Sequence, residues 1–346
     1  MDLTNGKTAV VTGPGGLTGT YLVKLLLEKG YNVRVLVRSE KARNEILNFL
    51  KNNKLTFEKI EFFKGDIRQY KDIERIIFGA NYIFHNAAFV SLNPHKKKKI
   101  FETNIIGTRN VVDALCKNEN HSAKLIHFSS IAALGAPNKN GTVNEQCNNF
   151  INKNNNTYSI SKYYAELEVW RGMEEGLNMV IINPSVILGF NSSCRSSSVL
   201  LSQMKRNIPF LPDGVTGYVN VEDVCQVAVL LAESNISGKR FVISAQNLTF
   251  VELFNMIRTA IGKPLKARLI NRRLIITLAY LTQLVAKIFR KEPLISPQMI
   301  KTALSKTYYD GSLICSEIDF EYIQIEKTVE KWNNSQVSFK MKLLNK

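Results

Sequence analysis

Apolar positions along the chain gather in short runs, and the stretches between them repeat with a helical period. Thr8-Ala9-Val10-Val11 is short and rich in β-branched residues, which predicts a strand. Thr20 to Lys29 then carries a helix pattern closed by Gly30. Tyr31 to Val37 alternates as a second strand, and Ile60 to Ile67 reads as a third. Asp72 to Phe78 is helical, and Tyr82-Ile83-Phe84-His85 is a fourth strand. A long helix over Phe101–Lys117 precedes a fifth strand at Lys124–Phe128. Tyr158 opens a helix running through Trp170, and Met179–Ile182 is a sixth strand broken by Asn183-Pro184. Strands that alternate with helices in this way predict an α/β chain with a doubly wound parallel sheet.

Beyond Pro184 the pattern loosens. A Ser-rich loop covers Asn191–Ser198, and Ser196–Arg206 has helical spacing. Gly217–Val221 and Arg240–Ser244 read as strands, Glu222–Glu233 and Thr249–Ile261 as helices. The expected organisation is a nucleotide-binding part over 1–184 and a smaller substrate-binding lid over 185–346. Elements near 217–245 are expected to return to the first part. Asn138–Thr157 is polar and Asn-rich and reads as an irregular surface excursion. Leu274–Phe289 is apolar, but Gln283 and Lys287 interrupt it and it is short for a membrane span. Its apolar residues fall on most sides, which favours a helix packed in the lid. The flanking Arg272, Arg273, Arg290 and Lys291 keep a membrane-interface helix as the other reading.

The turn after the first strand brings in chemistry. Thr12-Gly13-Pro14-Gly15-Gly16-Leu17-Thr18-Gly19 joins a strand to a helix. Glycines there let the backbone approach a pyrophosphate, and the helix N-terminus offers it free N–H groups. Gly13, Gly16, Leu17, Thr18 and Gly19 are therefore candidate dinucleotide contacts in a Rossmann-type fold. Arg38 stands at the end of the second strand, where an acidic residue usually holds the ribose hydroxyls of NAD. With Ser39, Lys41 and Arg43 beside it, it favours the 2′-phosphate of NADP, and NAD is the alternative. Asp66 and Ile67, at the end of the third strand, fall beside the expected adenine site. Asn86-Ala87-Ala88 ends the fourth strand in small residues that let the chain pass close to a cofactor. Tyr158 and Lys162 share one face of a predicted helix. A phenol ordinarily titrates near ~10, and an ammonium one turn away favours its phenolate. Ser130, at the end of the fifth strand, is placed to bond a carbonyl oxygen.

Composition narrows the classes. The 346 residues suffice for a large buried core, and the formal net charge is +17. The excess is mostly Lys spread among Asn and Ile, and the one dense run, Lys96–Lys99, reads as a solvated face rather than a nucleic-acid patch. Cys116, Cys147, Cys194, Cys225 and Cys315 are scattered without paired spacing, and the histidines show no ligand spacing. No basic-then-apolar segment opens the chain. The expectation is a cytoplasmic protein in a reducing compartment, without structural metal.

Taken together, these motifs resemble the extended short-chain dehydrogenase/reductase family over most of the chain. Thr12-Gly13-x-x-Gly16-x-x-Gly19, Asp66, Asn86-Ala87-Ala88, Asn104 with Gly107-Thr108, Ser130, Tyr158-x-x-x-Lys162 and Asn183-Pro184-Ser185 stand in that family's order. The resemblance implies NAD(P) in the cleft, Tyr158 as acid/base, Lys162 on the nicotinamide ribose and Ser130 polarising the carbonyl. It also implies that Pro184-Ser185-Val186 borders the nicotinamide and that Asn104 is mainly structural. Arg38, the Asn183–Gly189 run and Tyr308-Tyr309-Asp310-Gly311-Ser312 look most like the dihydroflavonol reductase and 3β-hydroxysteroid dehydrogenase branch. Ile131-Ala132 follow Ser130 where dehydratases tend to carry Asp-Glu. The expected activity is NADP-dependent interconversion of a small-molecule carbonyl and its alcohol, in a possible homodimer. The alternatives are a nucleotide-sugar epimerase holding NAD and a non-catalytic NAD(P)-sensing protein, against which the full set of Ser130, Tyr158 and Lys162 counts.

Overall fold

The computed structural model describes residues 6–91, 96–117, 122–147, 156–190, 210–264, 267–288, 300–301 and 303–344. The expected loop at Asn191–Ser198 and helix at Ser196–Arg206 lie outside these residues. The first half runs β1 (Thr8–Thr12), α1 (Leu17–Glu28), β2 (Asn32–Val37), α2 (Glu40–Asn52), β3 (Ile60–Lys64), α3 (Tyr70–Ile77) and β4 (Tyr82–His85). It continues through α4 (Lys97–Phe101), α5 (Gly107–Lys117), β5 (Lys124–Phe128), β6 (Thr142–Val143), α6 (Thr157–Glu174) and β7 (Met179–Pro184). The second half holds β8 (Val186–Leu188), β9 (Phe210–Leu211), β10 (Val215–Asn220), α7 (Val221–Glu233), β11 (Lys239–Ile243), β12 (Gln246–Thr249) and α8 (Phe250–Ala260). Then come β13 (Arg268–Leu269), α9 (Arg272–Ile288), β14 (Tyr308–Tyr309), α10 (Leu313–Glu317) and α11 (Ile325–Leu344).

Seven strands form one sheet in the order β11-β7-β5-β4-β1-β2-β3, and every pairing within it is parallel. Side chains alternate between its faces. Ala9, Val11, Phe84, Ile126, Val180 and Ile182 bury with α1 and α7 on one side. Val10, Ile83, Leu125, Met179 and Ile181 bury with α3 and α5 on the other. Both faces are covered, so the strands read as continuous apolar runs rather than half-polar ones.

A smaller layer follows β7. β8, β10 and β12 make a three-stranded sheet, and α8 and α11 close over it through Tyr218, Leu253, Phe254, Val329 and Trp332. The chain returns to the main layer through α7 and β11, and again through Ile314 and Phe320 near α10.

Three sequence expectations change. The sixth strand does not break at Asn183 but runs through Pro184, which pairs with Ile243; Pro184 lies at the strand's end, where a missing N–H costs least. The polar segment after Asn138 is not wholly a surface excursion. Val143 and Cys147 are buried with Leu134 and Val242, and β6 pairs with β14. Part of that segment, 148–155, lies outside the described residues. Last, over 272–282, the part of α9 whose side chains are described, the helix is not covered on most sides. Ile275 and Ala279 pack on Ile300 and Leu304, while Leu274, Leu278 and Leu281 are exposed. Among the described residues no helix is long and apolar enough to cross a membrane. Lys96–Lys99 are exposed, as a solvated face requires.

Candidate active site

The strand order reverses between β1 and β4, and in an open parallel sheet the crevice lies at the carboxyl ends of strands at that point. The turn after β1 reaches it on backbone alone. Gly13 has φ +69°, and a Cβ there would stand 2.7 Å from the Ala87 Cα. A Cβ on Gly19 would stand 2.2 Å from the Gly13 carbonyl oxygen. Asn86 Nδ2 donates to that same oxygen at 3.0 Å, and the Ala87 N–H donates to Thr12 Oγ1 at 3.2 Å. Gly16 is the N-cap of α1; no side chain caps it, and the first turn carries no acidic residue. The helix therefore presents its N–H groups and positive end to the crevice. These features fit a dinucleotide pyrophosphate. Leu17, Thr18 and Gly19 are buried just behind them.

Arg38 is exposed at the end of β2, and Ser39 caps α2 through the Ala42 N–H. Arg43 lies over the Phe62 ring, 5.2 Å from its centroid, and pairs with Glu40. Asp66 is gripped by a residue that the sequence did not single out. Arg68 donates to both its oxygens, at 3.0 and 2.8 Å. That hydrogen bonding holds the Asp66 carboxyl below its usual range, and Arg38 lowers it further. Ile67 is buried, and its carbonyl accepts from Asn110 Nδ2.

Ala88 is exposed at the edge of the same crevice. Asn104 ties the next residues to α6. Its Oδ1 accepts from the Phe89 N–H at 2.7 Å, and its Nδ2 donates to Ser161 Oγ at 2.8 Å. The predicted long helix is not uniform here: Glu102–Ile106 is a π-helical turn between α4 and α5. Such turns concentrate at functional sites, and no residue spacing announces them.

Ser130 follows β5 and caps a one-turn 3₁₀ helix over Ile131–Ala133, its Oγ accepting from the Ala132 N–H at 3.1 Å. That bond uses a lone pair and leaves the hydroxyl proton free to donate. Asn156 caps α6 by accepting from the Ser159 N–H, and Ser159 Oγ donates to the Ala132 carbonyl. These bonds bring Tyr158 against Ser130. Burial raises the Tyr158 phenol above its usual range, and the neighbouring Ser130 side chain works the other way. Lys162 is buried and donates to the Phe128 carbonyl at 2.7 Å. Burial pulls its ammonium down to about 8, and Glu166 opposes this. The Lys162 ammonium is directed to a main-chain oxygen at the end of β5, one turn from Tyr158 on the same helix.

Pro184, Ser185 and Val186 join the two sheets. The Ser185 N–H donates to the Ile243 carbonyl, and Val186 opposite Tyr218 begins β8. Beneath the site lie two buried histidines with ring centroids 5.1 Å apart. His85 bridges Thr12 and Thr108, each at 2.9 Å, whereas neither nitrogen of His127 finds a partner among the described residues. Burial holds His85 down to about 3 and His127 well below its usual value. Glu166, buried one turn beyond Lys162, is a further group that the sequence reading missed. The continued four-residue step on one helix face was the available signal. Among the described residues no group of His, Cys, Asp and Glu suits a metal ion.

The model of the NAD dependent epimerase/dehydratase family matches residues 9–244. Cinnamoyl-CoA reductase 1 of Petunia hybrida is 32% identical over 253 residues, covering 70% of this chain and 74% of its own. The anthocyanidin reductase ((2S)-flavan-3-ol-forming) of Vitis vinifera is 30% identical over 271 residues, covering 71% and 79%. Among solved structures, the yeast methylglyoxal/isovaleraldehyde reductase complexed with NADPH superposes with a TM-score of 0.73. It is 17% identical and covers 96% of this chain and 99% of its own. At that identity the likeness is one of fold.

Proposed function

Because the chain belongs to the NAD dependent epimerase/dehydratase family, we propose that it interconverts a small-molecule carbonyl and its alcohol with NADP, using Ser130, Tyr158 and Lys162. One observation carries the reading. Ser130 caps the 3₁₀ turn that Ser159 of α6 is bonded to, which sets Tyr158 beside it, and Lys162 is one turn from Tyr158, at the carboxyl end of β5 in the sheet whose glycine turn fits a dinucleotide. The reductase names of relatives at 30–32% identity support it.

The glycine turn would hold the pyrophosphate, Asp66 and Ile67 the adenine, Arg38 the 2′-phosphate, Lys162 the nicotinamide ribose, and Pro184–Val186 would border the nicotinamide. When bound, the nicotinamide supplies or accepts the hydride. The remaining chemistry belongs to the chain. Ser130 donates a hydrogen bond from its hydroxyl to the substrate oxygen, keeping its own proton, and fixes that oxygen beside Tyr158. In reduction the Tyr158 phenol gives its proton to the oxygen as negative charge develops there; in oxidation it takes the proton back. Asn86 to Ala88 close the crevice with small side chains. The proposed partner is a small-molecule carbonyl or alcohol. Anionic liposomes at physiological salt are expected to leave the protein unbound despite the exposed Leu274, Leu278 and Leu281.

The test is turnover of NADPH and NADH over a panel of aldehydes, ketones, sterols and nucleotide sugars. Net oxidation of NADPH with a carbonyl is the expected result. Isomerisation of a nucleotide sugar without net change in added cofactor would favour the epimerase reading instead, and tight NADPH binding with no turnover of any kind would favour a sensor.

A further inference from the structure

Tyr158, Lys162 and Glu166 follow one another at four-residue steps on α6, so they lie on one face of the helix. The third is only 2% exposed. Two side chains donate to the Glu166 carboxylate. Asn183 Nδ2 donates to Oε1 at 2.5 Å, and Arg240 Nη1 approaches Oε2 at 3.4 Å. Asn183 is shared, since its Nδ2 also donates to the Ser130 main-chain carbonyl at 3.0 Å. Arg240 is itself anchored, donating to the carbonyls of Glu145 and Cys147 at 2.8 and 3.0 Å. One carboxylate thus connects the helix that carries Tyr158 and Lys162 to β7, β11 and the segment that carries Ser130.

We propose that Glu166 is a positioning residue for the proposed reaction: through Asn183 it fixes Ser130 against Tyr158, and its charge faces the buried Lys162 ammonium. The inference rests on the carbonyl–alcohol reading above. A buried ion pair contributes little to stability once desolvation is counted, so stability alone is a weak reason for this arrangement. Its geometry instead sets the relation between a hydroxyl on one element and a phenol and ammonium on another. Displacement of such groups by about 1 Å costs about a hundredfold in rate.

The charged and titratable groups facing Glu166 are Lys162 on its own helix and Arg240 from β11. Asn183 adds a neutral hydrogen bond. His85 and His127 face Lys162 from β4 and β5, and burial keeps both neutral. Burial raises the Glu166 carboxyl, whereas Ser129, Arg240 and Asn183 favour its ionised form.

The test compares the intact protein with Glu166→Gln, Glu166→Asp and Asn183→Ala. Folding is checked by circular dichroism, and competent sites are counted by NADPH binding. Glu166→Gln keeps the size but sets an amide N–H₂ or an uncharged oxygen against Arg240. It is expected to lower kcat about tenfold to a hundredfold per competent site. KM for the carbonyl and Kd for NADPH should change by less than about threefold, since neither ligand touches Glu166. The alkaline limb of the kcat profile should move down by about one pH unit, because the Lys162 ammonium loses its stabilising neighbour. Glu166→Asp keeps the charge but shortens the reach to Asn183, so it should lose kcat while restoring much of the limb. Asn183→Ala combined with Glu166→Gln should be less than multiplicative. A Glu166→Gln variant with unchanged kcat and an unmoved alkaline limb overturns the positioning role, even if it is less stable. Failure of the intact protein to turn over any carbonyl removes the underlying reading, and this proposal with it.

Discussion

Arg38 and His127 show how one residue can set a property of the whole protein. Arg38 is exposed where a carboxylate would repel a phosphate, so Arg38→Asp is expected to weaken NADPH and spare NADH. Loss of a charged hydrogen-bond partner costs about 1.5–3 kcal/mol, or roughly tenfold to a hundredfold in affinity. Titration of both cofactors against both proteins checks this, and an unmodified protein that binds NADH better than NADPH contradicts it. His127 acts on stability. It is neutral in the fold, but once unfolded it protonates near ~6.5. Below that pH the unfolded chain binds more protons, so stability is lost as pH falls from about 6.5. His85, held down to about 3, contributes in the same direction. His127→Leu removes one of these groups without breaking a hydrogen bond to any described residue. Its acid-unfolding midpoint by circular dichroism should fall by about half a pH unit, and an unmoved midpoint would show that other groups govern acid unfolding.

At the scale of elements, α9 offers a contrast within a single helix. Ile275 is 8% exposed and Leu274 is 63% exposed, though they are adjacent. Leu278→Asp, on the exposed stripe, is expected to change stability by no more than about 0.5 kcal/mol. Ile275→Asp places an unpaired charge against Ile300 and Leu304 and should cost several-fold more. Urea melts of the two variants check the prediction, and equal losses would mean that the outer stripe is covered in solution. The elements of the first half were legible because their cause is local. Lys124–Phe128 and Tyr82–His85 are runs buried on both faces, and their limits in the structure match the sequence reading. The π-turn at Glu102–Ile106 was not legible, since nothing in Glu-Thr-Asn-Ile-Ile departs from an ordinary helix. α11 escaped for the opposite reason. Ile325, Val329 and Trp332 are spaced for one helix face, yet a polar background of Lys, Glu and Asn obscured them.

Over the whole molecule, the sheet order puts residues from distant parts of the chain into one crevice. Gly13, Asp66, Asn86, Ser130 and Pro184 each lie at or just beyond the carboxyl end of a strand, and parallel strands share that edge. That is why the candidate site could be read from motif order. Its supports could not. The Arg68 grip on Asp66 and the Glu166–Asn183–Ser130 connection depend on side chains meeting across elements, which linear spacing does not record. The glycine turn admits a direct check on the same scale. Gly19→Ala forces a methyl group onto the Gly13 carbonyl, so NADPH affinity should fall at least about tenfold even in a folded variant. Unchanged affinity would place the cofactor elsewhere.

The central claim is that Tyr158 moves the proton in a carbonyl–alcohol interconversion. The most direct measurement is single-turnover oxidation of bound NADPH, with a carbonyl identified from the panel, in the unmodified protein and in Tyr158→Phe. The substitution deletes one hydroxyl. NADPH stoichiometry and affinity should stay near normal while the single-turnover rate falls by about two to four orders of magnitude, the usual contribution of a positioned acid–base group. A Tyr158→Phe protein that binds NADPH and oxidises it at the unmodified rate would contradict the account.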